Sequence, residues 1–314
     1  MAATVIPPSD AGRLAELRAG RGRPRSPYLT DRGRLIHGPT APGGSTPCDR
    51  DTDLTPAEVD EITKLIVRGR LEGTAVTLPD RLRARSWKSV EDVLLRLDKA
   101  LGWTTAGWKV GAASMAVRRA ENIPSPSPGH LFAHSIFDSP AQIGPEYFVN
   151  YRLCETEFAF ALGADFPARD EPYTEADLRA GIESLIPVIE IGDSVFEDWY
   201  TLSGYFGGMY DNGGGAALVR GRRHTDWRSV DLPTAIIDLY VNDSYVKSGV
   251  GAEAMGNPIT SLTWMVNWAR ERGRDVAAGD VVSTGTCTAH CFVARGDVVS
   301  ADFGPLGLVE ARFA

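Results

Sequence analysis

The sequence predicts an α+β fold, with an N-terminal helical region over residues 54–100 and a strand-rich body over 101–314. Three observations carry this. Thr55-Pro56-Ala57-Glu58 places Thr at an N-cap, Pro at N1 and Glu at N3, a capping box, and Val59, Ile62, Leu65 and Ile66 follow at helical spacing. From Trp103 the apolar period shifts toward strands and tight turns. The stretches 235–247 and 280–313 then read as short strands punctuated by glycine, with Asn242-Asp243 marking a hairpin turn.

The remaining elements follow in order. A second amphipathic helix runs through Val90, Val93, Leu94 and Leu97. A helix after Thr174 is expected to carry Ile182, Leu185 and Ile186. Another opens at Asn257-Pro258, shows Ile259, Leu262, Met265, Val266 and Ala269 on one face, and stops before Gly273. No internal repeat is visible.

Residues 1–53 form a separate leader. Its first 50 residues hold eight Arg, no Lys and four acids, with seven Pro and seven Gly. Such a segment buries too little apolar surface to offset its ordering entropy, so a mobile arm is expected there. The whole chain carries a net charge of −8, which disfavours a nucleic-acid function. No apolar run approaches the roughly 20 residues that span a bilayer, so no membrane association is expected. Four cysteines in 314 residues do not make a disulfide framework. A cytoplasmic enzyme or binding protein is expected.

The sharpest chemical signal is Cys154-Glu155-Thr156-Glu157-Phe158-Ala159-Phe160-Ala161-Leu162. On a strand, Glu155 and Glu157 point the same way about 6.6 Å apart, whereas on a helix they diverge by roughly 200°. Like charges so placed repel unless a cation or proton lies between them. The alternative is a solvated face meeting cationic side chains. Ile186–Ser194 adds Glu190 inside an otherwise apolar strand, where a carboxylate must be paired, protonated or bound to metal. Three oxygen donors without a His–Cys cluster suit a hard cation, Mg²⁺ or Mn²⁺, while a buried Glu–Arg pair is the structural alternative. Lys109, within Gly107-Trp108-Lys109-Val110-Gly111, offers one fixed positive charge for a carboxylate, or else is a surface lysine on an edge strand.

In chain order, Gly107–Ser114, Glu155-x-Glu157, Pro187–Ser194, Asp211-Asn212-Gly213, Gly249–Pro258, Trp264–Trp268, Ala278-Gly279-Asp280, Thr284-Gly285 and Gly304-x-x-Gly307 resemble one family. It is the 2-keto-4-pentenoate hydratase / 4-oxalocrotonate decarboxylase branch of the fumarylacetoacetate hydrolase superfamily, and the likeness covers about residues 55–314. The resemblance implies a rolled, multilayer mixed β-structure and a divalent metal on Glu155, Glu157 and Glu190. It also implies a small 2-oxo acid, or its 2-hydroxydienoate tautomer, as substrate, contacts from Lys109, Ser114, Asp211, Asn212 and Thr284, and a homo-oligomer. The expected activity is a lyase, hydratase or decarboxylase, working through a metal-stabilised enolate.

One departure stands out. Relatives carry an acid after the Pro126–Gly129 loop, where this chain has His130-Leu131-Phe132-Ala133-His134. His134 is the candidate acid/base in its place. That keeps two alternatives open, a C–C hydrolase of an acylpyruvate-like substrate using His134, and a catalytically silent partner subunit. Asp211-Asn212-Gly213-Gly214-Gly215 also departs from the usual Asp-Asn-Ala-Ser-Ser. Two other motifs are set aside. Cys287-x-x-His290-Cys291 would be a strand whose ends lie ~13 Å apart, too far for one zinc ion. Gly249-x-Gly251-x-x-Ala254 meets Gly256-Asn257-Pro258 too soon to open a dinucleotide-binding helix.

Overall fold

A computed structural model describes residues 53–83, 86–121, 123–197, 209–288 and 290–314. Apart from Asp53, the leader expected over 1–53 lies outside the described residues.

Helix α1 (Pro56–Glu72) starts on the expected capping box, the Thr55 side chain accepting from Glu58 N and Glu58 Oε2 accepting from Thr55 N at 2.9 Å. It stops at Gly73, whose φ of 63° is a left-handed cap. Helix α2 (Trp87–Leu101) is capped by Ser86. The two pack through Val59, Ile62, Ile66, Val90, Val93 and Leu94 onto Phe132, Phe196 and Tyr210. The helical region is thus seated on segments that flank Asp211 and His134.

Two sheets form the body. The larger has the order β2-β1-β10-β5-β6-β7-β3, with β11 joining β5. Its strands are β1 (Thr105–Gly111), β2 (Ser127–Phe132), β3 (Ile136–Asp138), β5 (Leu153–Leu162), β6 (Ile182–Gly192), β7 (Gly215–Arg220), β10 (Val281–Ser283) and β11 (Cys291–Phe292). The smaller follows the order β4-β13-β12-β8-β9, from β4 (Ala141–Ile143), β8 (Ile236–Val241), β9 (Ser244–Val250), β12 (Val298–Asp302) and β13 (Leu308–Phe313). One core joins them, with Phe158, Ile189, Leu239, Val299 and Phe313 packed alongside Leu262 and Met265. The last two belong to α5 (Pro258–Glu271), capped by Asn257 as its sequence indicates. Helices α3 (Met115–Glu121) and α4 (Glu175–Gly181) are short connectors. Asn242 and Asp243, with φ of 49° and 63°, turn the β8–β9 hairpin.

The structure corrects the sequence reading in two places. The helix after Thr174 ends at Gly181, so Ile182, Leu185 and Ile186 lie in β6. The Ile/Val-rich run Ile186–Ile191 pairs with β5 along its length, and this tertiary ladder overrides the helical reading. The segment Pro126–Gly129 is not a free loop, because Ser127–Phe132 is the buried strand β2, in register with β1.

Candidate functional site

The long antiparallel β5–β6 pair builds the site. Glu155 and Glu157 are two residues apart on β5, and Glu190 on β6 is the cross-strand partner of Glu155. One oxygen from each carboxylate lies within 4.8 Å of the others. Glu157 and Glu190 are buried, and Glu155 is mostly so. Desolvation and the neighbouring Glu190 and Glu155 push the Glu157 carboxyl well up. Burial also raises Glu190, with Lys109 opposing it.

Each carboxylate has its own partners. Glu157 Oε2 accepts from Ser283 Oγ at 2.5 Å and from Gly285 N at 2.9 Å. Glu190 Oε1 lies 3.3 Å from Lys109 Nζ. Glu155 Oε1 lies 3.2 Å from His290 Nε2. Burial would raise the Glu155 carboxyl, but His290, Lys109 and Lys247 outweigh it and hold it below its usual value.

Lys109 is fully buried on β1, an interior strand between β2 and β10. It threads a slot that only glycines leave open. A Cβ at Gly129 would sit 2.7 Å from its Cε, and one at Gly213 would sit 3.0 Å from its Nζ. Gly213 has a φ of 59°, and its carbonyl accepts from Lys109 Nζ at 2.5 Å. The ammonium therefore bridges the glycine turn and Glu190.

These residues fit a hard divalent cation. All three donors are carboxylate oxygens, and burial together with mutual repulsion pushes Glu157 and Glu190 toward protonation. Among the described residues Glu190 Oε2 is buried with no hydrogen-bond donor, an orphan that a cation would satisfy.

No protein-family model matches the chain. The chain is 30% identical over 240 residues to 2-keto-4-pentenoate hydratase 1 of Dechloromonas aromatica, covering 76% of this chain and 89% of that protein. It belongs to the 2-keto-4-pentenoate hydratase / 4-oxalocrotonate decarboxylase branch of the fumarylacetoacetate hydrolase superfamily. Within the same branch, 4-oxalocrotonate decarboxylase of Pseudomonas putida is 33% identical over 138 residues, 44% of this chain and 51% of that protein. The structure of 4-oxalocrotonate decarboxylase from P. putida G7, complexed with magnesium and adipate, superposes with a TM-score of 0.75 at 25% identity. That match covers 83% of this chain and 99% of the neighbour. A fumarylacetoacetate hydrolase family protein from Yersinia pestis shares the fold at a TM-score of 0.51 and 15% identity, covering 67% and 94% of the two chains.

The other family-motif residues are spread around this centre. Asp211 is buried and bound by Arg70 of α1, Nε to Oδ1 at 2.9 Å and Nη2 to Oδ2 at 2.7 Å. Asn212 clamps the His130 backbone in both directions, at 2.7 and 2.9 Å. Both residues hold the turn that grips Lys109. The Thr284 hydroxyl donates to the Phe158 carbonyl at 2.7 Å, and Ser114 lies buried after β1, its carbonyl accepting from Arg118 N. His134 stands in a short 3₁₀ turn, its ring 4.5 Å from that of Trp103, and desolvation lowers its basicity. It lines a cavity of about 200 Å³ together with Arg70, Asn212 and Tyr147. His130 is buried against Trp108 on β2, where burial lowers its pKa to about 4.

Sequence reasoning missed Arg70 and His290. Arg70 sits in an amphipathic helix and gives no local signal. His290 was visible only inside the Cys287–Cys291 motif. Among the described residues around it, strand is found at Cys291–Phe292, and β11 pairs Cys291 with Cys154, which brings His290 to Glu155.

Proposed function

We propose that this protein is a divalent-metal-dependent lyase, hydratase or decarboxylase, acting on a small 2-oxo acid or its 2-hydroxydienoate tautomer. The observation that carries the reading is the convergence of Glu155, Glu157 and Glu190 within 4.8 Å, with Lys109 Nζ 3.3 Å from Glu190. Family membership supports it, since the relatives are named hydratases and decarboxylases.

The three glutamates would hold Mg²⁺ or Mn²⁺, which when bound supplies Lewis-acid stabilisation of negative charge at the 2-oxygen of the substrate. Lys109 contributes what the carboxylates cannot, a buried positive charge that attracts the substrate's 1-carboxylate. Its glycine slot fixes the ammonium before substrate arrives, so little reorganisation is needed on binding. Ser283 and Gly285 hold Glu157, and His290 holds Glu155, in the orientations that leave the remaining oxygens converging. His134, whose charged form is disfavoured by partial desolvation beside Trp103, can accept or return a proton at the cavity wall. The helical region over 54–100 acts as a wall of the catalytic domain rather than a separate unit, and the protein works as a cytoplasmic homo-oligomer.

The test follows 2-hydroxypenta-2,4-dienoate and 2-hydroxymuconate with the Mg²⁺ protein and with EDTA. Dienol absorbance should decay only with metal, giving a product of about +18 Da by hydration or −44 Da by loss of CO₂. Unchanged substrate in every arm, or equal decay with EDTA, contradicts the proposal. Cleavage of an acylpyruvate with neither of those products would instead favour the hydrolase, for which His134 in the cavity wall is the supporting observation.

A further inference from the structure

The cavity that His134 lines is larger than a three-carbon 2-oxo acid requires, and its walls have a distinct chemistry. Its volume is about 200 Å³, whereas roughly 150 Å³ of apolar cavity holds a benzene ring. Leu97 and Leu101 from α2, with Trp103, Phe132, Tyr147 and Val149, give it an apolar side, facing the polar groups of Arg70, Asp211 and Asn212.

It adjoins the carboxylate centre through shared wall residues. A small void bordered by Glu190 shares Phe132, Gly215 and Ala216 with the larger cavity. Gly215 is the shoulder between them, because a Cβ there would lie 3.4 Å from Lys109 Cε. A 2-oxo acid held head-first at Lys109 and the glutamates therefore sends its tail past Gly215 and Ala216 into this space.

The charges in the wall decide what the tail can be. Arg70 is the one guanidinium or ammonium group among the described lining residues, and it is already committed. It makes a two-point contact with Asp211, donates to the Asp193 carbonyl at 3.0 Å, and lies 3.9 Å from the Asp193 carboxylate. Glu146 adds a further negative charge to the lining, and desolvation disfavours the charged form of His134. Among the described lining residues a second carboxylate entering here finds no free cation and meets like charge.

We propose that the substrate carries an uncharged, apolar tail of about one ring or four to six carbons beyond the reacting end, and that the cavity discriminates against dicarboxylates, which within the reading above favours hydration over loss of a distal carboxylate as CO₂. This rests on the reading of the carboxylate centre given above. Its physical basis is the burial of the tail against Leu97, Leu101, Trp103 and Phe132 while Arg70 stays neutralised by Asp211 and Asp193.

The test measures binding of three stable 2-oxo acids to the Mg²⁺ protein by titration calorimetry: pyruvate, 2-oxoadipate and 4-phenyl-2-oxobutanoate. The phenyl acid should bind about tenfold or more tightly than pyruvate, and 2-oxoadipate no more tightly than pyruvate. Leu101→Trp, and independently Val149→Phe, should erase the phenyl advantage while leaving pyruvate binding within about twofold. Thermal melts check that each variant is folded. Tighter binding of 2-oxoadipate than of the phenyl acid would overturn the proposal, as would a phenyl advantage that survives both folded variants. Metal-dependent pyruvate binding without any phenyl advantage sinks the tail assignment alone. No metal-dependent pyruvate binding at all sinks the underlying reading, and this inference with it.

Discussion

Glu155 and Glu190 face each other as direct partners across the antiparallel β5–β6 ladder, and each has its own basic neighbour, His290 for Glu155 and Lys109 for Glu190. Opposed like charges destabilise a ladder unless something positive sits with them. Here His290 and Lys109 share that task. They also leave Glu157, held by Ser283 Oγ and the Gly285 amide, as the carboxylate most strongly driven toward its protonated form. A divalent cation would replace that proton.

Lys109 is expected to matter for substrate rather than for metal. Lys109→Met should weaken oxalate binding to the Mg²⁺ form by about tenfold or more, since a buried cation facing the ligand is lost. Mg²⁺ affinity should not fall, because the ammonium competes with the ion for Glu190. Calorimetric titration with Mg²⁺, then with oxalate, checks both. Unchanged oxalate affinity would return Lys109 to a purely structural part.

His290 is expected to act through Glu155. His290→Ala should lower Mg²⁺ affinity about tenfold by freeing the Glu155 side chain, and His290→Gln should restore most of it. Magnesium titrations monitored by thermal shift read this without any substrate. Equal affinity in parent and His290→Ala would show that the 3.2 Å contact does not position the carboxylate.

Arg70 tests whether the helical region supports the site. Arg70→Met leaves the buried Asp211 carboxylate uncompensated, which should cost about 3 kcal/mol in urea unfolding. Arg70→Lys should recover only part of it, because the two-point contact needs the planar guanidinium. A loss below about 1 kcal/mol would mean the Asp211–Gly213 turn stands without α1.

His130 sets a pH dependence of stability. Its pKa falls to about 4 in the folded state through burial, against an ordinary value near 6.5 in the unfolded chain. Between those values the unfolded chain binds more protons, so this residue's effect is to lower stability as pH drops from 6.5 toward 4. The full effect is up to about 3 kcal/mol. The raised carboxyls of Glu157 and Glu190 act in the opposite sense, so the informative quantity is the difference between parent and His130→Phe. Urea midpoints at pH 7 and pH 4.5 should show the parent losing more stability than the variant. Parallel losses would remove His130 from the account.

Much of the centre was legible in the chain because its signals are local. A period of two places Glu155 and Glu157 on one face, and a lone carboxylate in an Ile/Val run marks Glu190. Capping boxes fix the starts of α1 and α4. What was not legible depends on distant partners. The pairing of Glu155 with Glu190 requires the β5–β6 register, and the Lys109 slot requires Gly213, more than a hundred residues away. The helix expected through Ile182 failed for the same reason, since pairing with β5 decides that segment and its own period does not. His290 was hidden because strand spacing within its own motif says nothing about the neighbouring strand that carries Glu155.

Glu155, Glu157 and Glu190 are together expected to bind one divalent ion. The most direct measurement is anomalous diffraction at the manganese edge from crystals grown with Mn²⁺. One strong peak is expected, enclosed by the three carboxylates, and it should be lost in crystals of the Glu155→Gln/Glu157→Gln variant. A peak elsewhere with none at the three carboxylates, or a peak of equal strength in the double variant, would contradict it.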